Sequence, residues 1–285
     1  MKFNAMSRRD FVQLCGLSAA GVALSGSLAA CGSGSAGSAG SASSAKSDSG
    51  YTLVKSGKLT MISNFYFPPF VSMNEKTGDF EGFDVDVYKA VCKKLKLTPR
   101  ILPSVQFDTI VPTIKQGGKA DVSIGAITIT DDRKKEIDFT NPYLDSNQSI
   151  VVKKGSAATT QAQLNAKGMQ IAVQSGTTGE SWAQENLPKA TVVPLDDIIQ
   201  ALTGVQTGLY NACVADLPVT SYEIKQAYHD LQIPEGGEIP TGEQYGIVVS
   251  KKNPGLTKAI NKALKELKSD GTMDSLQKKW FGTTI

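Results

Sequence analysis

From Lys58 to the C-terminus, short β-branched or apolar runs take turns with helical spacings, and this alternation leaves few folds open. Lys58 to Ile62 predicts a strand. Phe83 to Leu95 predicts a helix, because Tyr88, Val91, Cys92 and Leu95 recur at the spacing of one buried face. Strands over 100–102 and 120–124 are expected on either side of a helix over 107–116. Further strands are predicted over 149–152, 170–173, 191–193, 212–215 and 246–250, with helices over 179–185, 196–207, 219–227, 256–267 and 273–280. Such a series builds α/β lobes with largely parallel sheets, and roughly 228 residues suffice for two modest lobes or one large domain. Ligands of such sheets bind at the carboxyl ends of strands, so the loops that follow strands are where chemistry is sought.

The chain ahead of Lys58 has the pattern of an address rather than of a fold. Lys2, Arg8 and Arg9 precede a mild apolar run from Leu14 to Ala30, too short to span a bilayer stably, and then Cys31. Residues 1–30 therefore predict a signal peptide. Ser7-Arg8-Arg9-Asp10-Phe11-Val12 resembles the twin-arginine export motif, and Leu28-Ala29-Ala30-Cys31 resembles a bacterial lipobox, which implies that Cys31 is lipidated. From Gly32 to Gly50, 17 of 19 residues are Gly, Ser or Ala. Such a stretch cannot offset its ordering entropy by burying apolar area. Residues 31–57 are read as the lipidated cysteine and a flexible linker with a span of roughly 25 to 30 Å. Gly32-Ser33-Gly34-Ser35-Ala36-Gly37 matches the dinucleotide-binding pattern letter for letter, but that motif needs a strand before it and a helix after it, and here the expected lipidation site precedes it and more linker follows.

Composition removes several function classes. The chain is +3, and the signal segment holds three basic residues and one acid, so 27 basic and 26 acidic residues remain, a net +1. That balance gives no electrostatic footprint for nucleic acid. One histidine, His229, and two cysteines beyond the anchor, Cys92 and Cys213, do not supply a usual zinc cluster, and no metal or cofactor is expected. The cysteines are read as buried packing thiols. His229 has no nucleophile elbow nearby and is read as a surface or helix-end residue.

Four loops hold unusual chemistry. Asn64-Phe65-Tyr66-Phe67-Pro68-Pro69-Phe70 is aromatic and stiffened by proline. In Ala126-Ile127-Thr128-Ile129-Thr130-Asp131-Asp132-Arg133, Thr130 is a plausible N-cap that holds Arg133 just inside a helix, facing a crevice. Gln174-Ser175-Gly176-Thr177-Thr178-Gly179 leaves N–H groups free at a helix start, an anion site. Asp216 ends an apolar strand. A zwitterion fits these groups: Arg133 with the N–H groups of Thr177 and Thr178 for a carboxylate, Asp216 and the Thr128 hydroxyl for an ammonium.

These residues carry a resemblance. From Lys58 onward the chain is similar to the bacterial extracellular solute-binding proteins of family 3, the polar amino-acid receptors of ABC importers. The matching stretches are Phe67-Pro68-Pro69-Phe70, Gly82 to Asp86, Phe107 to Pro112, Ala120 to Val122, Thr130 to Tyr143, Gln174 to Gly179, Asp216, Gln244 to Ile247 and Lys279 to Gly282. The resemblance implies a two-lobed type II periplasmic-binding-protein fold. Lobe 1 would be residues 58–143 plus 246–285, lobe 2 residues 148–240, and the hinge 144–147 and 241–245. It implies that Arg133 holds the α-carboxylate, Asp216 the α-amino group, Ala126 a backbone carbonyl contact, Thr128 its hydroxyl and N–H, and Thr178 an N–H, with Phe67 and Phe107 sandwiching the ligand side chain. Asn64 stands where many relatives have an acid, and Ala215 where some are polar. Without a charge at Asn64, Gln174 or Ala215, a neutral or polar ligand such as glutamine is expected. The expected protein is a lipid-anchored, monomeric, extracytoplasmic receptor, not an enzyme, that works with a permease and its ATPase. A cyclohexadienyl or arogenate dehydratase on the same fold, with Asp108 or Glu180 as the nearest candidate acids, and a ligand-sensing lobe for a receptor are the alternatives.

Overall fold

The structure is a computed structural model, and it describes residues 50–284. The expected export signal, Cys31 and the linker up to Ser49 lie outside the described residues. The linker was expected to run to Gly57, but the packed chain already begins at Tyr51. Tyr51 and Leu53 are buried, Thr52 N–H donates to the Asn253 side chain at 3.3 Å, and Asn253 Nδ2 returns a bond to Thr52 O at 2.8 Å. Two apolar residues in an otherwise small and polar run are enough to fasten it.

The first sheet has the order Thr98–Ile101, Lys58–Ile62, Val122–Ser123, Val248–Val249, Asp138–Phe139. Its first three strands run parallel, and Val248–Val249 is antiparallel to both neighbours. The helix Phe83–Leu95 forms as the spacing predicts, burying Val87, Tyr88, Val91 and Cys92. Gly82 opens it at φ 134, where a side chain would collide with the Phe70 carbonyl. Tyr88 supplies the helix's grip on the sheet. Its hydroxyl donates to Leu59 O at 2.5 Å and accepts from Arg100 N–H at 2.8 Å, tying two neighbouring strands to one side chain.

The second sheet has the order Thr191–Leu195, Gln170–Gln174, Ala212–Asp216, Leu144–Lys153, with both Leu231–Gln232 and Glu238–Tyr245 paired to that last strand. The first two pairings are parallel and the rest antiparallel, so this sheet is more mixed than the alternation suggests. The reason is topological: Leu144–Lys153 enters from the other lobe instead of rising from a crossover helix. Its central strands are buried on both faces. Ile150, Val152, Ile171, Val173 and Val214 join Ala183 and Leu187 on one side. Val151, Ala172 and Cys213 join Ala201, Leu202 and Val205 on the other. Each such side chain contributes roughly 1.5–3 kcal/mol on burial, which is why these strands read as unbroken apolar runs. Cys92 and Cys213 are free and buried, and burial pushes both thiols up to about 12.

Two strands connect the sheets, side by side. Leu144–Lys153 carries the chain outward and Glu238–Tyr245 brings it back, in register Leu144 to Tyr245, Asp145 to Gln244 and Ser146 to Glu243. The returning strand was expected only as a short hinge over 241–245. It is eight residues long, with a register shift between Ile239 and Glu243 where Gly242 sits at φ 62. A three-stranded ribbon, Tyr66–Phe67, Val71–Met73 and Phe80–Glu81, is also present; strands of two and three residues leave no periodicity to read.

Candidate functional site

Thr130 begins the site by capping. Its hydroxyl accepts from Arg133 N–H at 3.2 Å and opens the helix Asp131–Glu136, as its position predicts. Arg133 is thereby aimed along the cleft. Its guanidinium donates to Thr128 O at 2.7 Å and, across the cleft, to Gly176 O at 2.9 Å, and it lies 5.4 Å over the Phe107 ring. Burial lowers its pKa, while Asp216 and Glu243 act in the opposite direction.

On the facing lobe, Thr177 caps the helix Thr178–Asn186, accepting from Glu180 N–H at 3.2 Å and donating to Gln174 O at 2.7 Å. The N–H groups of Thr177 and Thr178 sit where the helix itself offers no acceptor. Gly179 lets that helix approach the sheet: a Cβ there would lie 2.9 Å from Val214 O and 3.0 Å from Gln148 Oε1. Asp216 ends the strand Ala212–Asp216 and stands at the N-cap of the helix Leu217–Gln226, but its side chain makes no capping bond. It is buried, accepting from Gln148 Nε2 at 2.7 Å and from the Tyr245 hydroxyl in a short bond. Burial first, and then repulsion from Glu243, push its carboxyl up to about 7, against the pull of Tyr245, Gln148 and Arg133.

Phe67, Phe107, Ala126, Thr128, Arg133, Thr177, Thr178 and Asp216 line one cavity of ≈ 10 Å³, room for about one water. The lobes meet across it, so admitting a solute means parting Arg133 from Gly176. Ala126 is held in the left-handed region at φ 50, an uncommon conformation for a residue with a Cβ, and its N–H donates to buried Asp84 at 2.7 Å. Beside the cavity, Gln174 Nε2 donates across the cleft to Asn64 Oδ1 at 3.2 Å and also reaches Asp196 O at 3.3 Å. Asn64 Nδ2 is spent on Val105 O at 2.9 Å, and Gln174 Oε1 is buried without a donor.

The sequence did not single out Gln148 or Glu243. The Glu243 carboxylate accepts from the Thr128 hydroxyl at 3.2 Å, the Thr178 hydroxyl at 3.1 Å and Gln148 Nε2 at 2.9 Å. The signal was there in alternation: Thr241, Glu243 and Tyr245 fall on one face of the returning strand, and Ser146, Gln148 and Ile150 on one face of the outgoing strand.

The candidate acids Asp108 and Glu180 lie beside Gly176 but do not line this cavity. Asp108 is exposed, and Glu180 accepts from Gly176 N–H at 2.7 Å and from Gln184 at 3.0 Å, closing its own helix start. His229 is exposed just past the helix Leu217–Gln226, with Nδ1 3.2 Å from Ile224 O. Among the described residues no group of three or more metal-binding side chains occurs.

The model of the bacterial extracellular solute-binding proteins, family 3, matches residues 59–283. The glutamine-binding protein GlnH of an ABC transporter in Bacillus subtilis (strain 168) is 33% identical over 210 residues, covering 73% of this chain and 75% of that protein. Among solved structures, an ancestral arginine-binding protein bound to glutamine is 38% identical with a TM-score of 0.73, over 80% of this chain and 99% of that one. The ancestral amino acid-binding protein AncCDT-1, a precursor of cyclohexadienyl dehydratase, is 35% identical with a TM-score of 0.72, over 79% and 96%.

Proposed function

The chain belongs to the bacterial extracellular solute-binding proteins, family 3, and from that membership we propose that it captures a free α-amino acid with a neutral polar side chain, such as glutamine, for an ABC importer. The fold is the two-lobed α/β fold of the periplasmic amino-acid-binding proteins, type II. One observation carries the reading: a guanidinium from one lobe and a buried carboxylate from the other line a single cavity, with the open N–H groups of a helix start beside the guanidinium. That is the charge pattern of an α-amino acid. Arg133 and the N–H groups of Thr177 and Thr178 take the carboxylate; Asp216, the Thr128 hydroxyl and the Ala126 carbonyl take the ammonium.

The side chain lies between Phe67 and Phe107 and reaches toward Asn64 and Gln174. A donor from the ligand, such as an amide NH₂, satisfies Gln174 Oε1, and no charge at Asn64 or Gln174 balances a cationic side chain. The residues near 144–147 and 241–245 act as the hinge, and ligand contacts from both lobes favour the arrangement that a permease recognises. Upstream, a lipidated Cys31 holds the monomeric receptor at the extracytoplasmic face of the cell membrane by its Gly/Ser/Ala tether.

Calorimetry with the twenty amino acids on the wild-type protein and on Arg133→Ala tests this. Glutamine or another neutral polar amino acid is expected to bind the wild type and to lose at least a hundredfold in affinity with the variant. Binding of none of the twenty overturns the reading. A dehydratase is the competing reading, favoured by the likeness to a dehydratase precursor and by a cleft carboxyl that burial pushes up to about 7. Turnover of arogenate or prephenate would establish it.

A further inference from the structure

Glu243 belongs to neither lobe. It sits on the returning crossover strand, opposite Ser146 of the outgoing one, and its carboxylate turns into the cleft. There it accepts from three neutral donors with different attachments: the Thr128 hydroxyl on the first lobe at 3.2 Å, the Thr178 hydroxyl on the second at 3.1 Å, and Gln148 Nε2 on the outgoing strand at 2.9 Å. The two threonine oxygens are themselves 3.5 Å apart. Among the described residues no cation stands within ion-pair distance of Glu243; Arg133 acts on it only from farther off, and its direct partners are these three donors.

We propose that Glu243 is a positioning residue that latches the two lobes together and presets the ammonium end of the site. The latch follows from attachment. When the lobes part, Thr128 and Thr178 separate, and one carboxylate on the crossover cannot follow both; at least one charge-assisted bond is lost on opening. The presetting follows from Gln148. The same Nε2 that donates to Glu243 donates to Asp216 at 2.7 Å, so the glutamine is held between two acids and fixes the face that Asp216 turns to the cavity. An ordinary surface glutamate would explain neither donor set. Glu243 also borders a groove of ≈ 810 Å³ behind the crossover, lined by Leu217, Tyr222, Trp280 and Phe281, which lets a charged group stand at a lobe junction without full desolvation.

This inference rests on the amino-acid reading for its affinity arm but not for its conformational arm. With Cys15 and Cys31 replaced by serine, spin labels at Lys119→Cys on the first lobe and Lys189→Cys on the second, both exposed positions, report the inter-lobe distance, since native Cys92 and Cys213 are buried. In full-length protein without added solute, Glu243→Ala is expected to move the distance distribution toward longer separations. It should also weaken glutamine about tenfold, the size of one lost charge-assisted bond. Glu243→Gln keeps an acceptor for the threonines and should recover most of the short distances, an effect that a folding defect would not produce. An unchanged distribution in Glu243→Ala overturns the latch, as does equal loss in the Ala and Gln variants. If the wild type binds no amino acid while Glu243→Ala still opens the lobes, the latch stands and the ligand assignment falls.

Discussion

Two buried aspartates each face a tyrosine at a crossover, and they differ in what else is near. Asp84 accepts from Ala126 N–H at 2.7 Å and from the Tyr143 hydroxyl at 2.8 Å; Asp216 accepts from Gln148 and from Tyr245. Burial pushes both up to about 7. The tyrosines stand where the two crossover strands leave the first lobe, ring centroids 6.4 Å apart. Around Asp84, however, the shifting influences are burial and two hydrogen bonds, and one of its oxygens has no donor. Around Asp216 there are also Arg133 and Glu243, and a cavity. The same buried acid is thus a strut in one place and, in the proposed function, a receptor for charge in the other, and charged neighbours beside a cavity make the difference.

That contrast can be broken most directly by substitution. Asp216→Asn is expected to leave the protein folded and cut affinity for the amino acid at least a hundredfold by calorimetry, because the ammonium loses its buried counter-charge. Asp84→Ala should do the reverse. It strands a buried N–H and a buried hydroxyl, costs about 2–4 kcal/mol in denaturant unfolding, and affects affinity mainly through Ala126. If both substitutions act on affinity alone, the distinction between strut and receptor is wrong.

Titration sharpens it. Asp84 keeps its proton in the folded chain to about pH 7 but loses it near 4 when unfolded. Its contribution is therefore full below pH 4 and is lost as pH rises through about 7, since the unfolded chain then binds fewer protons. Against Asp84→Asn, the wild type should lose relative stability between pH 4 and 7 in paired urea melts. For Asp216 the readout is binding: an incoming ammonium favours the carboxylate, so the ligand expels a proton and affinity should weaken as pH falls below about 7, by up to tenfold per pH unit. Calorimetry in buffers of different ionisation enthalpy would report the released proton. The smallest effect is expected from the tyrosines. Tyr143→Phe should lower stability by about 1 kcal/mol with affinity unchanged, whereas Tyr245→Phe should alter affinity two- to fivefold.

Much of the frame and half of the site are legible in the sequence, for physical reasons. The helix Phe83–Leu95 and the doubly buried strands of the second sheet announce themselves through apolar periodicity. Thr130 and Arg133 are found because a cap and its helix are three residues apart, and Asp216 because it ends an apolar run. The returning strand was hidden. Glu-Ile-Pro-Thr-Gly-Glu-Gln-Tyr holds a proline, a glycine and two acids, and most of its side chains remain at least partly exposed. What makes it a strand is pairing with Leu144–Lys153, a partner nearly a hundred residues away that no local window contains. Glu243 and Gln148 were missed with it, because their importance comes from that pairing.

The way the chain enters the folded body has a mechanical consequence. Tyr51 and Leu53 are buried, Thr52 is bonded to Asn253, and Asp121 accepts from Val54 N–H at 2.7 Å and Thr60 N–H at 2.7 Å. All of these fastenings are to the first lobe. Under the proposed anchoring at Cys31, a pull on the upstream chain would arrive there, and the covalent path to the second lobe runs through the two crossover strands. On that reading the molecule is held like a vice bolted by one jaw, with Glu243 on the slide between the two.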